Sequence, residues 1–338
     1  MTDNHVGIAG FGMYLPEHIM TAAEISAASG VPADVVEHKM GIRQKTIPGP
    51  DDGTMEMGVR AALDCLKNTD TDPLEIDLLI CIGEEYKEYP LTTSGIYIQE
   101  KIGARNAWAF DMAARCGTAI VALKTAKALM LTDDKINTCL IAGGYRNGDL
   151  IDYANPRVSF MYDLAAGGGA CLLKKNHGKN IVLDFAIMTD GSFARDVGVV
   201  YGGTANPITA ENVHLAGKSL DVMDAEHMKA GLNEKSMPNF IQVIRDAVAR
   251  SGGAMSDVGY VAMLHMKKSA HTLVLNELGI SEEKSIYLND YGHLGQLDQF
   301  LSTKLAMERG MLQSGKLVVW VSAGIGYIWD ACAIRWGA

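Results

Sequence analysis

One thiol, Cys116, stands immediately before Gly117 and Thr118 in DMAARCGTAIVALKTAKALM (111–130), and the run that follows has helical spacing. A thiol at a helix start meets unpaired backbone N–H groups and the positive end of the helix dipole, which favour the thiolate. The chemistry on offer is nucleophilic attack on a carbonyl, and Gly117 lets a substrate or another backbone come close. Two of the nine histidines suit proton transfer. His265 ends the apolar run GYVAMLHM (259–266), where open α/β sheets collect their ligands, and His293 lies in NDYGHLGQLDQ, a glycine-flanked turn feeding a helix. Singly, each has an ordinary reading, Cys116 as a small buried hydrophobe and the histidines as core hydrogen-bonders. Together they make a nucleophile with two bases. A fourth element is VSAGIGYIWDA (321–331), where Gly324 and Gly326 flank Ile325. Such a turn either presents the Ile325 N–H to a developing oxyanion or is a plain glycine turn.

The elements that must position these residues alternate along the chain. Short apolar runs at 76–83, 137–144, 259–266 and 316–324 are predicted strands, too short and too uniformly apolar for amphipathic helices. Helical patterns cover 55–67, 117–131, 237–251, 268–279 and 296–310. Strands separated by helices predict an α/β fold with a largely parallel sheet covered on both faces. The strand pairs around Cys116 and around His293 repeat at an offset of about 181 residues. We therefore expect two similar halves, 1–180 carrying the nucleophile and 181–338 carrying the histidines, sharing one core.

The chain has 338 residues, 48% hydrophobic and 21% charged, the composition of a globular protein with a sizeable core. A net charge of −10 argues against nucleic acid, because phosphate binding needs a basic face. No apolar run approaches the ~20 residues of a membrane span, and the N-terminus lacks the pattern of a signal peptide. Six cysteines without C-x-x-C or metal-ligand spacing read as reduced thiols, so we expect a cytoplasmic protein with no metal. AGKS (216–219) has Asn212 where a phosphate loop needs its leading glycine, and GFG (10–12) lacks the third glycine of a dinucleotide fingerprint.

Several longer stretches carry more information in combination. They are GFGMYLPEHIMTAAEIS near the start, HKMGIRQKTI (38–47), IGARNAWAFDMAARCGTA around Cys116, DGSF (190–193), and the segment from GHLGQLDQF to ACAIRW. In that order, over essentially the whole chain, they resemble the 3-oxoacyl-acyl-carrier-protein synthase III branch of the thiolase superfamily. The resemblance implies a five-layered αβαβα fold of two halves and a homodimer. It implies that Cys116 accepts an acyl group from a coenzyme A or carrier-protein thioester, with no other cofactor. The backbone N–H groups of Cys116 and Ile325 would hold the oxyanion, and His265 falls on the first catalytic histidine. Tyr89 falls where the family sends a side chain into the partner's pocket. Lys39, Arg43 and Lys268 are the candidates for the coenzyme A phosphates.

The departures from the family pattern matter as much. Its usual asparagine is His293 here, giving the Cys–His–His set of chain-elongating synthases, and its His-Gln-Ala-Asn signature reads HMKK (265–268). The tryptophan that packs on the coenzyme A adenine is missing near Val35, and Arg115 before the nucleophile is unusual. In GEEYKEYP (83–90), Glu84 stands near the general base of hydroxymethylglutaryl-coenzyme A synthases, although an ungapped match puts Gly83 there and surface carboxylates are the plainer reading. Glu84, Glu85 and Tyr86 would also suit a cationic acyl group, as in thiolase-like cleavage of dehydrocarnitine to betainyl-coenzyme A. The leading expectation is condensation of an acyl thioester through acyl-Cys116. Non-decarboxylating condensation, 3-oxo acid cleavage and a non-catalytic partner subunit are the alternatives.

Overall fold

The structure, a computed structural model, describes residues 4–83 and 85–337. Its first elements are β1 (Val6–Tyr14), β2 (Ile19–Thr21), α1 (Ala22–Ser29), β3 (Gln44–Thr46), α2 (Thr54–Asn68) and β4 (Leu78–Cys81). Then come α3 (Ser94–Ile102), β5 (Trp108–Asp111), α4 (Thr118–Thr132), β6 (Thr138–Tyr145), β7 (Gly167–Lys175), β8 (Ile181–Thr189) and β9 (Val197–Val199). The remainder is α5 (Val213–Ala216), β10 (Leu220–Val222), α6 (Ala225–Arg250), β11 (Val258–Met263), α7 (Lys268–Glu277), α8 (Asp298–Glu308), β12 (Leu317–Gly324) and β13 (Ile328–Arg335).

Nine strands follow the order β11-β12-β13-β8-β1-β7-β6-β4-β5. The β1–β8 junction is a single register pair, Gly7 with Ile181, so the sheet folds there into two leaves. Helices α4 and α8 lie between the leaves, each packed against strands of both. Helix α4 is apolar nearly all round, with Ala119, Ile120, Ala122, Leu123, Ala126 and Met130 buried, as a helix enclosed on both sides must be. Outside the leaves, α2 and α3 cover one and α6 and α7 the other. Three apolar clusters fill the spaces. One joins both leaves through α4 and α8, one lies under α6 and α7, and one lies under α2 and α3. This is the expected five-layered αβαβα fold.

The parallel character is narrower than the sequence suggests. Among the described residues only β4–β5, β4–β6 and β11–β12 pair in parallel, while β1, β7, β8 and β13 pair antiparallel with their neighbours. Strands β1 and β7 escaped a reading based on β-branched runs because they are rich in glycine, as in VGIAGFGMY and GGGACLLKK. The glycines are there for the helix above. A Cβ at Gly12, Gly144 or Gly168 would overlap the α2 backbone at Ala61, Thr54 or Met57. Helix α6 also begins twelve residues before the expected 237–251. Only Met228 is buried in its first three turns, so they show no apolar period, and Pro238 lies inside the helix rather than at its start.

The approach of helix to sheet at Gly168 gives a direct test of this packing. Gly168→Ala is expected to lower the unfolding free energy by about 2 kcal/mol or more, because α2 must move off three strands at once. Urea unfolding should show a lower midpoint with an unchanged slope.

Candidate active site

Cys116 sits in a single 3₁₀ turn, Arg115–Gly117, that leads into α4. Arg115 has φ of +52°, a left-handed conformation that is strained for a residue with a side chain and sharpens the turn beneath the thiol. The Ser322 hydroxyl of β12 donates to the Cys116 carbonyl at 2.7 Å. Gly324 lies so close that a Cβ there would come within 3.0 Å of the Cys116 nitrogen. Behind the turn, the Asp330 carboxyl faces Gly117, fully buried and without a hydrogen bond among the described residues. Burial pushes its pKa well above the carboxylate range, so it packs as a neutral acid.

The two histidines reach this turn from the other leaf, and they do different things. His293 Nε2 lies 3.1 Å from Cys116 Sγ, and His293 Nδ1 lies 2.6 Å from Asp298 Oδ2 in the first turn of α8. Burial opposes charging of this imidazole, but the Asp298 carboxylate and the Cys116 sulfur outweigh it and hold its pKa well above the usual value. The result is a nucleophile, a base and an orienting carboxylate in line. Asp298 also accepts the backbone N–H groups of His265 at 2.7 Å and Leu294 at 2.8 Å.

His265, immediately after β11, faces away from the sulfur in its hydrogen bonding. Its Nδ1 lies 2.8 Å from Asp163 Oδ2 and its Nε2 lies 3.1 Å from the Gly41 carbonyl oxygen. Both nitrogens therefore face acceptors, and the ring is stacked on Tyr287 at 5.2 Å. Burial raises the Asp163 pKa, but the hydrogen bond and charge of His265, together with the charges of His293 and Lys45, outweigh it and hold the carboxyl below its usual value. Asp163 further ties the two histidines together, since its carbonyl oxygen accepts the His293 backbone N–H at 2.8 Å. The buried ammonium of Lys45, brought down to about 8 by burial, donates to the Leu164 carbonyl at 2.5 Å beside this pair.

The four elements meet on one cavity of about 930 Å³, lined by Cys116, His265, His293 and Ile325 together with apolar side chains such as Met161, Phe240 and Leu264. Ile325 lies in the turn between β12 and β13 and lines the same cavity as Cys116. Glu85 and Tyr86 are at the wall, and Glu85 is paired with Arg115 at 3.1 Å. Glu84 lies outside the described residues. The phosphate-binding candidates are less uniform. Lys39 is exposed, Arg43 pairs with Asp290, and Lys268 pairs with Glu282 at 2.6 Å over the Tyr287 ring. The lysine of that segment on the cavity wall is its neighbour, Lys267.

Sequence reasoning missed the two aspartates. Asp298 offered a faint signal, a carboxylate in a helix's first turn five residues after His293. Asp163 offered none, being 102 residues from the histidine it holds.

Cys116 differs chemically from the other five thiols. Burial pushes Cys65 and Cys81 up to about 12, and Cys139, Cys171 and Cys332 upwards as well. At pH 7, Cys116 should alkylate at least about 100-fold faster than any of them. The raised His293 pKa keeps the imidazolium beside the sulfur as pH climbs above the ordinary histidine range. In Asp298→Asn the carboxylate that orients His293 and favours its charged form is gone, so the rate at pH 7 should drop about 10–100-fold. Peptide-resolved iodoacetamide kinetics read both.

The model of the family 3-oxoacyl-[acyl-carrier-protein] synthase III matches residues 110–191, and that of its C-terminal part matches 248–336, together just over half of the chain. A β-ketoacyl-[acyl-carrier-protein] synthase III of Azobacteroides pseudotrichonymphae is 25% identical over 344 residues, covering 100% of this chain and 99% of that one. The enzyme of that name from Symbiobacterium thermophilum is 26% identical over 333 residues, covering 98% of each. The crystal structure of 3-oxoacyl-[acyl-carrier-protein] synthase III from Aquifex aeolicus superposes with a TM-score of 0.85 at 19% identity, covering 98% of this chain and 100% of that one. Two matched models, relatives of the same length and one shared fold place this chain in the 3-oxoacyl-acyl-carrier-protein synthase III family of the thiolase superfamily.

Proposed function

We propose that the protein is an acyltransferase that takes an acyl group from a thioester onto Cys116 and joins it to the α-carbon of a second thioester. The observation that carries this reading is the line from Cys116 through His293 to Asp298 at the wall of the cavity. In the resting ion pair the thiolate attacks the thioester carbonyl, and the oxyanion is met by the N–H groups of Cys116 and Ile325. When the tetrahedral adduct collapses, His293 gives its proton to the departing thiol and is left neutral, ready to serve as a base in the second half-reaction. No cofactor beyond the thioester substrate is required.

The donor is a coenzyme A or carrier-protein thioester. Exposed Lys39 and cavity-wall Lys267 offer its phosphates positive charge, while Arg43 and Lys268 are already engaged by carboxylates. The division at residue 180 assigns the nucleophile to one half and the histidines to the other. A cytoplasmic setting suits six cysteines that are all unpaired. No helix among the described residues is long and apolar enough to cross a membrane.

A homodimer fits the free edge of the sheet. Strand β5 is unpaired on its outer side, and half-exposed Trp108 sits on it with the exposed side chains of Tyr89, Leu91 and Ile96 on the adjoining segment. An open edge with exposed apolar side chains is a template for pairing with a second copy.

Brief incubation with acetyl-, longer-chain acyl-, acetoacetyl- and betainyl-coenzyme A, read by intact-protein mass, tests the acyl-enzyme. A mass gain that disappears in Cys116→Ala is expected, with loading slowed about 10²–10⁴-fold in His293→Ala. No adduct with any thioester, coenzyme A-bound or carrier-bound, would sink the reading in favour of a non-catalytic subunit. Sedimentation should give twice the 36.3 kDa of one chain, falling to one in Trp108→Glu.

A further inference from the structure

Among the described residues, two lysine or arginine side chains line the cavity, and the loading step gives a role to only one of them. Lys267 is exposed, where it can meet the phosphates of an incoming thioester. Arg115 is the other. It precedes Cys116 in the chain, so the two Cα atoms are about 3.8 Å apart and the guanidinium stays within one side chain's reach of the sulfur.

The backbone fixes where that side chain starts. The φ of +52° at Arg115 is one that glycine would adopt without strain, yet a long cationic residue occupies it. Its Cβ lies against the end of β12, where a Cβ on Gly324 would come within 3.0 Å of it. The guanidinium then meets Glu85 Oε2 at 3.1 Å, and both residues line the cavity. The two partners are unequal. Side-chain exposure is 74% for Glu85 against 38% for Arg115, and Glu85 lies outside helix and strand. An ion pair this exposed contributes little, so a carboxylate arriving in the cavity can take the place of Glu85.

We propose that Arg115 selects the acyl donor by binding a carboxylate at the far end of the acyl chain, with Glu85 the counter-ion that the substrate displaces. This rests on the acyl-Cys116 reading above. The substrate class is a short ω-carboxyacyl thioester, of which succinyl- and glutaryl-coenzyme A are simple members. A guanidinium suits the task because its planar fork matches a carboxylate in two parallel hydrogen bonds. A cationic acyl group fits less well, because it would bring a like charge to Arg115 beside the nucleophile. Loading itself is unchanged. The thiolate attacks the thioester carbonyl, the coenzyme A sulfur leaves with the electron pair of its broken C–S bond and takes the His293 proton, and the distal carboxylate keeps its charge throughout.

The experiment measures initial loading rates of the full-length protein by intact-protein mass. Freshly prepared succinyl- and glutaryl-coenzyme A are set against butyryl- and valeryl-coenzyme A, carbon for carbon, with betainyl-coenzyme A as the cationic member. Cys116→Ala subtracts acyl groups deposited on other side chains. Each carboxylated and neutral pair gives a ratio of rates, taken within one variant so that a general folding defect cancels. In wild type at least one ratio should reach about 10 or more. Arg115→Gln should lower that ratio about 10–100-fold, and Arg115→Lys, a point charge without the fork, should lower it less. Glu85→Gln should raise it about 2–5-fold by removing the competing carboxylate. Wild-type ratios at or below one for both pairs overturn the proposal. So does fastest loading from betainyl-coenzyme A, which would give the wall to Glu85. A ratio that Arg115→Gln leaves unchanged also overturns it, as the mark of a purely structural ion pair. Loading from butyryl-coenzyme A without preference sinks the selectivity alone and leaves the acyl-Cys116 reading standing. No adduct on Cys116 from any of the five thioesters, or from their carrier-bound forms, refutes that reading and this proposal with it.

Discussion

The site depends on two buried carboxylates that lace two histidines together. Asp298 binds the ring of His293 and the backbone of His265, while Asp163 binds the ring of His265 and the backbone of His293. Each aspartate thus touches both histidines, and neither ring can turn without breaking a charge-assisted bond in a water-poor setting. Buried carboxylates are tolerated only when fully hydrogen-bonded, and the histidines and loop amides meet that demand.

This lacing explains why the layers are built as they are. Asp298 belongs to α8, one of the two helices enclosed between the leaves, and Cys116 leads into α4, the other. The nucleophile and its orienting carboxylate therefore ride on rigid elements packed on both sides, while the histidines and Ile325 come from loops pinned to them. Precision at a reacting centre comes from such supports. The glycines of β1, β6 and β7 belong to the same economy of space, since they let α2 lie flat on the outer face and free the inner face for α4 and α8.

The division of labour between the histidines differs from what the sequence pattern suggests. In the chain they look like two equivalent bases. In the fold one is bonded to the sulfur and the other is engaged by Asp163 and Gly41, so only His293 is placed to exchange a proton with the thiol. The carboxylates near Glu84 that suggested a cationic substrate are also engaged where they can be seen, with Glu85 bound to Arg115.

Much of the protein was legible in one dimension. Buried strands and enclosed helices need uniform apolar runs, so β4, β6, β11, β12, α4 and α8 could be read nearly to their ends. The nucleophile was legible because a thiol before a glycine at a helix start is a local arrangement, and His265 because a strand end is one too. The antiparallel glycine-rich strands and the exposed start of α6 were not legible, since what selects them is the neighbour they pack against. The sequence by itself determined the elements, the thiol and the candidate bases, because those rest on neighbours within a turn or a strand. Only the tertiary structure decided which histidine meets the sulfur. That choice is made by Asp163 and Asp298, carboxylates whose partners lie on other elements, and no spacing along the chain records a contact across a fold.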